Sequence, residues 1–279
     1  MNKLTIPLAD KSSSEIFEQC VRGYRDTKKV RKLLRYKKDV ESSAKNYLKY
    51  IPCDIEHYPQ TPVSSDDKEM LVNVYKDKFS KASFSKGRAY YDKILAGASG
   101  KCAICSIGAA STLDHYLPKA EYPTLCVFPA NLVPECQSCN KNKGDFIQIE
   151  NEKMLLHPYF DDLSDVIWLD GKLVFSSVIG IEYYNSYTSD PVMASRISLT
   201  IEKYKLFPLF AIQANSDISN NISMWRKQLQ NTGTKQLRIY FSACRLSREE
   251  KDLNSWSSAL YRALERQCDE VIDWLNNNP

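Results

Sequence analysis

The feature that most narrows what this chain can fold into is a pair of cysteine pairs of identical spacing, Cys102-x-x-Cys105 and Cys136-x-x-Cys139. Each C-x-x-C makes a tight knuckle, and two knuckles close a four-thiolate site that favours tetrahedral Zn²⁺. Such a site is coordinatively full and cannot activate a water. The zinc is therefore expected to be structural, adding on the order of 10 kcal/mol to local folding. Two unrelated pairs, or redox C-x-x-C motifs, are the competing reading. Thirty residues separate Cys105 from Cys136, more than the roughly 15–20 of a simple zinc ribbon, so a folded segment is expected between the knuckles. The other five cysteines (Cys20, Cys53, Cys126, Cys244 and Cys268) are scattered. Their odd total, and an N-terminus with no apolar core before a small-residue cleavage site, point to reduced thiols in a cytoplasmic protein. No apolar run nears the roughly 20 residues that span a bilayer, so no membrane partner is expected.

Around this centre the chain reads as mainly helical. Residues 11–50 suit one or two helices, 52–66 a proline-containing loop, and 67–97 another helix capped by Ser64, Ser65 or Asp66. Gly97, Gly100 and Gly108 break the helical pattern. Beyond 150, Val166–Leu169 and Leu173–Phe175 flank Asp170-Gly171, a strong hairpin signal. From about 192 the pattern is helical again, ending in a stripe of Leu253, Trp256, Leu260, Leu264, Val271 and Leu275. The expected fold class is α+β, mainly helical. It divides into an N-terminal helical region (1–97), a central cysteine module (98–160), and a hairpin with C-terminal helices (161–279).

Charge is uneven. The whole chain carries only +4, yet Arg22 to Lys38 holds nine basic residues against one acid, Asp26, a local net of +8. Val30, Leu33, Leu34, Val40, Ala44, Tyr47 and Leu48 recur through it at helical spacing. A helix with this face can lie along a phosphate backbone; a solvated face, or one docked on an acidic partner, is the alternative.

Between and around the knuckles run Leu113-Asp114-His115-Tyr116-Leu117-Pro118-Lys119 and Asn131-Leu132-Val133-Pro134-Glu135-Cys136-Gln137-Ser138-Cys139-Asn140-Lys141-Asn142-Lys143-Gly144-Asp145. The whole pattern is C-x-x-C, then Asp-His-x-x-Pro-Lys, then Asn-Leu-Val-Pro-x-Cys-x-x-Cys-Asn-x-x-Lys-Gly. It resembles the HNH endonucleases in their zinc-stapled ββα-metal form, over about 45 residues. The resemblance implies hydrolysis of nucleic-acid phosphodiesters, with His115 as general base. It implies that Asn131 holds the imidazole through its other ring nitrogen or nearby backbone. Asp114 and Asn140 would offer oxygen ligands to a catalytic Mg²⁺ or Mn²⁺, while Lys143 and Lys119 would contact substrate. Asn140 stands where the family often has histidine, which weakens the expectation of tight Zn²⁺ or Ni²⁺ there; Asn142 ranks below it.

Neighbours in a strand point to opposite faces. Asp114 and His115 can therefore serve one site only if the strand ends or bends there. Strand one is placed before His115, strand two around Asn131 to Pro134, and a helix from about Gln137 to a stop at Gly144. His157 reads as a structural histidine, with substrate or metal contact as the alternative, and His57 is given no role. Cys126 reads as packing. Tyr90, Tyr91, Tyr116, Tyr122, Tyr183 and Tyr184 can stack on bases if exposed.

The Asp-His-Tyr-Leu-Pro-Lys form of the motif, the following His157-Pro158-Tyr159-Phe160-Asp161 and the flanking helices resemble the HNH component of Septu-type antiphage systems, the PtuB family. That likeness implies a complex with an ABC/SMC-like ATPase of PtuA type. In some members it also implies a retron reverse transcriptase and its DNA. The alternatives are a stand-alone restriction-type nuclease and a non-catalytic zinc-knuckle module that binds nucleic acid.

Overall fold

The computed structural model describes residues 3–83, 85–147 and 149–278. The chain forms two compact units, Lys3–Asp161 and a second starting at Asp162. Mixed helix and two-stranded sheets make it α+β and mainly helical. No helix among the described residues is long and apolar enough to cross a membrane.

In the first unit, α1 (Ser13–Val21) starts where the Ser12 hydroxyl accepts the Glu15 N–H at 3.1 Å. A second helix, α2 (Thr27–Leu34), starts at Asp26, whose carboxylate accepts the N–H groups of Lys28 and Lys29 at 2.8 and 3.1 Å. The helix α3 (Lys37–Tyr50) follows. The expected one or two helices are thus three, because the only acid in the basic stretch is used as a cap and the chain turns there. Next come α4 (Ser65–Val74), capped by Ser64, and α5 (Ser85–Ala96). A π-helical turn over Tyr75–Phe79 interrupts the single helix expected for 67–97. Gly87 packs its backbone directly on that turn: a Cβ there would sit 1.9 Å from the Lys78 carbonyl oxygen.

The cysteine segment grows from this helical base. Strands β1 (Thr112–His115) and β2 (Leu132–Glu135) pair antiparallel, with Asp114 opposite Val133 and His115 opposite Leu132. Each strand of a two-stranded sheet keeps a free edge, which tolerates Pro134. Its carbonyl accepts the Ala103 N–H at 2.9 Å and so ties the first knuckle to β2. The short helix α6 (Gln137–Lys143) follows and ends at Gly144, whose φ of 55° suits glycine. One buried cluster joins Ile16, Phe17, Leu33, Leu71 and Phe79 of the helices to Leu113, Cys126 and Leu132. The division expected at residue 97 is therefore absent, since helices and cysteine segment share a core. Along the chain, the two compact units meet between Asp161 and Asp162.

In the second unit, β3 (Leu169–Phe175) and β4 (Ile179–Asn185) form a seven-pair antiparallel hairpin. Around them lie α7 (Pro191–Tyr204), α8 (Leu206–Glu249), α9 (Trp256–Arg266) and α10 (Cys268–Asn277). The expected turn at Asp170-Gly171 lies inside β3 instead, and the chain reverses over 176–178. Gly171 is there for space, because a Cβ would meet Ile181 Cδ1 at 2.6 Å. Asp170 pairs with Arg266 at 3.0 Å rather than shaping a turn. Gly233, at φ 79° and ψ 178°, breaks α8 into two helical segments.

Candidate functional site

The four cysteines expected to share a metal lie together and buried, their sulfurs all within 4.8 Å of one another. Cys105 and Cys136 Sγ are 4.0 Å apart. The backbone is shaped around them. Cys136 caps α6, its sulfur accepting the Cys139 N–H at 3.5 Å, and Cys105 Sγ accepts the Gly108 N–H at 3.4 Å. Hydrogen bonds from Cys102 and then Cys139 lower the Cys105 thiol, and its partners Cys102 and Cys139 are pushed up in consequence. Gly108 closes the cradle: a Cβ there would meet Cys136 Cβ at 2.7 Å and Sγ at 3.0 Å. A convergent set of four soft donors with N–H groups aimed at the sulfurs can hold a metal ion. All nine cysteines are free thiols. Spacing alone reveals the cluster; the need for Gly108 comes from a residue 28 positions away and leaves no local signal.

Beside this centre, β1 keeps strict alternation. Thr112 and Asp114 share the more open face, while Leu113 and His115 share the buried one. The bend that would unite Asp114 and His115 side chains is absent. On the open face, α6 brings Asn140 to β1, its Nδ2 donating to Thr112 Oγ1 at 3.3 Å. One turn further, Lys143 Nζ pairs with Asp114 Oδ2 at 2.8 Å and donates to the His115 carbonyl at 2.7 Å. The Lys143 side chain is only 1% exposed. It therefore cannot reach a substrate phosphate as expected; its charge is committed to the carboxylate of β1. Lys119 is half-buried, its ammonium 6.0 Å from the centre of the Tyr75 ring.

On the other face, the His115 ring sits 4.5 Å, edge to face, from Tyr75, and the residue is 3% exposed. Its Nε2 lies 2.9 Å from the Cys126 carbonyl. A carbonyl can only accept, so Nε2 carries the proton and Nδ1 keeps the lone pair. Burial, then the charge of Lys119, pushes the imidazole pKa down to about 3, with Lys143 adding to the effect. The ring is thus held neutral. Asn131 serves the backbone arm of its expectation and not the ring. Its Oδ1 accepts the Leu117 N–H at 2.8 Å and its Nδ2 donates to the Leu117 carbonyl at 3.1 Å, fixing the chain as it leaves β1. Cys126 does more than pack: its carbonyl orients His115, and its thiol donates to the Leu71 carbonyl at 3.3 Å.

The other histidines follow the structural reading. His157 Nδ1 accepts the Tyr159 N–H at 3.1 Å, so its Nε2 donates to Tyr47 Oη at 2.8 Å, and Tyr116 and Phe160 pack on the ring. His57 is exposed and pairs with Asp54 at 2.8 Å. Of the tyrosines considered for base stacking, Tyr91, Tyr116, Tyr122 and Tyr183 are buried; Tyr184 is exposed and Tyr90 half-buried.

No family model matches the chain, and no solved structure resembles it. Over 103 residues it is 36% identical to protein ea31 of Escherichia phage lambda, a match covering 35% of this chain and 34% of that protein. The chain thus spans about a third of that relative's length, and the likeness is one of sequence over this stretch.

Proposed function

We propose that the chain is a metal-dependent endonuclease of the HNH type, hydrolysing nucleic-acid phosphodiester bonds, with its four cysteines holding a structural zinc. The observation that carries this reading is the joint placement of β1, β2 and α6. Two strands and a helix converge on the four-thiol cluster, with Asp114 and Asn140 on one face of β1 and an oriented neutral imidazole, His115, on the opposite face. A tetrahedron with zinc–sulfur bonds of about 2.3 Å has edges of about 3.8 Å, close to the 4.0 Å between Cys105 and Cys136 Sγ.

The oxygen donors of Asp114 and Asn140 fit a hard cation, Mg²⁺ or Mn²⁺. Bound there, such a cation would supply Lewis acidity to a phosphate oxygen. Lys143 pairs with the Asp114 carboxylate at 2.8 Å and would compete with a cation for it. His115 would accept the water proton at Nδ1, the nitrogen that its bond to the Cys126 carbonyl leaves with a lone pair, only in a state that uncovers the ring and brings it to the face of Asp114, since here burial holds its pKa down to about 3 and strand alternation sets the two side chains on opposite faces. The imidazole reaches water only when the Tyr75 ring withdraws. Carbethoxylation of the three histidines, read by mass spectrometry, is expected to mark His57 alone in the wild type and His57 and His115 in Tyr75→Ala.

His115→Ala is expected to lower cleavage of duplex DNA, single strands or RNA by at least a hundredfold with binding and zinc content kept. Equal cleavage by wild type and variant contradicts the assignment and favours the binding-module reading. The antiphage role, with an ABC/SMC-like ATPase and in some settings a retron reverse transcriptase and its DNA, rests on the motif resemblance. Co-purification of such an ATPase from native lysate tests it, and an efficient lone nuclease would favour a restriction-type enzyme.

A further inference from the structure

The basic stretch that the sequence set apart is only partly neutralised by the fold. Arg22 and Lys37 both pair with Glu18, at 2.5 Å each, and Lys32 pairs with Asp67. Asp26 is occupied at the start of α2. Arg25, Lys28, Arg31, Arg35 and Lys38 remain exposed and make no ion pair among the described residues. On α2 they are arranged by helical geometry. Lys28 and Arg31 on α2, and Arg35 at its C-cap in helical conformation, follow at i, i+3 and i+7 along one face. Leu33 is buried in the core opposite, with Val30 and Leu34 packed against it.

We propose that this solvent face of α2, with Arg25 and Lys38 flanking it, holds the phosphodiester backbone of the nucleic acid that the chain acts on. The proposal deepens the nuclease reading and rests on it for the choice of polyanion. Two further observations favour a phosphate backbone over an acidic protein. First, the exposed face of α2 presents only Thr27, Lys28, Arg31 and Lys32, with every apolar residue turned inward. Protein interfaces have a desolvated core, rich in aromatic residues and poor in lysine, and this face offers none. Second, the surface leads to the candidate site. Lys29 and Lys78 both lie over the Tyr24 ring, at 4.0 and 4.7 Å, placing two ammonium groups beside one aromatic edge. Tyr24 Oη lies 3.1 Å from Asp77 Oδ2. Asp77 and Lys78 belong to the same five-residue turn as Tyr75, the residue against His115. From Lys28 to Arg35 the helix rises about 10 Å. Duplex DNA presents a charge about every 1.7 Å of its axis, so several phosphates can meet this face at once.

The test is equilibrium binding to a labelled mixed-sequence DNA duplex, with a matching RNA duplex as second arm. It is run in EDTA across 50–200 mM salt, so that no cleavage intervenes. Lys28→Gln/Arg31→Gln/Arg35→Gln, with an unchanged melting curve, is expected to weaken binding at least tenfold. It should also lower the slope of log K against log salt by about 2 to 3, at roughly 0.9 for each phosphate no longer neutralised. The same loss in both arms supports the shared backbone chemistry. Lys251→Gln, removal of an exposed charge in the second unit, serves as the control and should bind like wild type. An unchanged slope overturns the proposal, as does a wild type that binds neither duplex. If the wild type binds as expected yet never cleaves, the nuclease reading fails and this surface stands. If it cleaves while the triple variant binds normally, the surface fails and the nuclease reading stands.

Discussion

The two units solve one problem, a small hairpin covered by helices, in different ways. In the second unit β3 and β4 share seven residue pairs and join through a three-residue reversal. Leu169, Leu173, Ile181 and Tyr183 are buried on their inner face, so the hairpin is held by local closure and apolar packing. In the first unit β1 and β2 share four pairs and are joined by the long segment 116–131. A hairpin so short is not stable by itself. It is pinned from outside, by the four thiols near one end and by Asn131 at the other. What the difference teaches is that a strand too short to hold itself is braced by groups other than its own. Asp114 can be devoted to an ion pair because the strand does not depend on it for packing.

The comparison is broken most severely at the metal. Cys136→Ser, or chelation of the wild type's zinc, is expected to remove the one zinc ion per chain proposed at the four thiols and unfold the β1–β2–α6 region. All four tryptophans, Trp168, Trp225, Trp256 and Trp274, lie in the second unit. Far-UV circular dichroism should therefore fall while tryptophan emission stays native. Emission that collapses together with the dichroism would show that the staple supports the whole chain.

A pair of buried asparagines sharpens the contrast. Asn254 accepts the N–H groups of Trp168 and Leu169 and donates to the Leu163 and Val166 carbonyls, four hydrogen bonds of 2.8 to 3.2 Å. Asn131 makes two such bonds to Leu117. Orphaning a buried backbone group costs about 1–3 kcal/mol. Asn254→Ala is thus expected to lower the tryptophan-detected transition by about 3–5 kcal/mol, and Asn131→Ala to destabilise the first unit by about 2–4 kcal/mol. Urea melts followed by both probes check the order and the separation of the two effects. The same amide clamp holds backbone in either unit, so a buried asparagine by itself does not mark a catalytic site.

How much of this was legible follows from the range of each signal. The thiol cluster was readable because C-x-x-C forms locally and twice. Strands β1 and β2, α6 and its Gly144 stop lie within a residue or so of their expected places, because caps and breakers act locally. Asp170-Gly171 misled for the opposite reason: the dipeptide is a strong turn former, but Ile181, ten positions on, needs the space above Gly171. Lys143 looked like a phosphate ligand because its partner Asp114 stands 29 positions earlier, beyond any spacing rule. Nor could spacing say that Tyr75, forty residues before His115, would cover the imidazole.

The smallest expected effects come from two of the three crowded glycines, Gly108 and Gly171. Gly108→Ala drives a methyl group against Cys136 Cβ and Sγ, which the cluster holds fixed, and is expected to lower metal affinity at least tenfold in competition with a chromophoric chelator. Gly171→Ala meets the movable end of Ile181, and about 1 kcal/mol is expected in the tryptophan-detected melt. If Gly171→Ala proves the costlier, the view of the first unit as the externally braced one loses its support.

The most direct measurement is cleavage of labelled nucleic acid by Asp114→Ala beside the wild type, titrated with Mg²⁺ or Mn²⁺ at equal zinc content. Wild-type cleavage that rises with the added cation, against a variant that keeps its zinc but is inactive throughout, is the predicted result. A variant as active as the wild type, or a wild type inactive on duplex, single strand and RNA alike, would contradict the account.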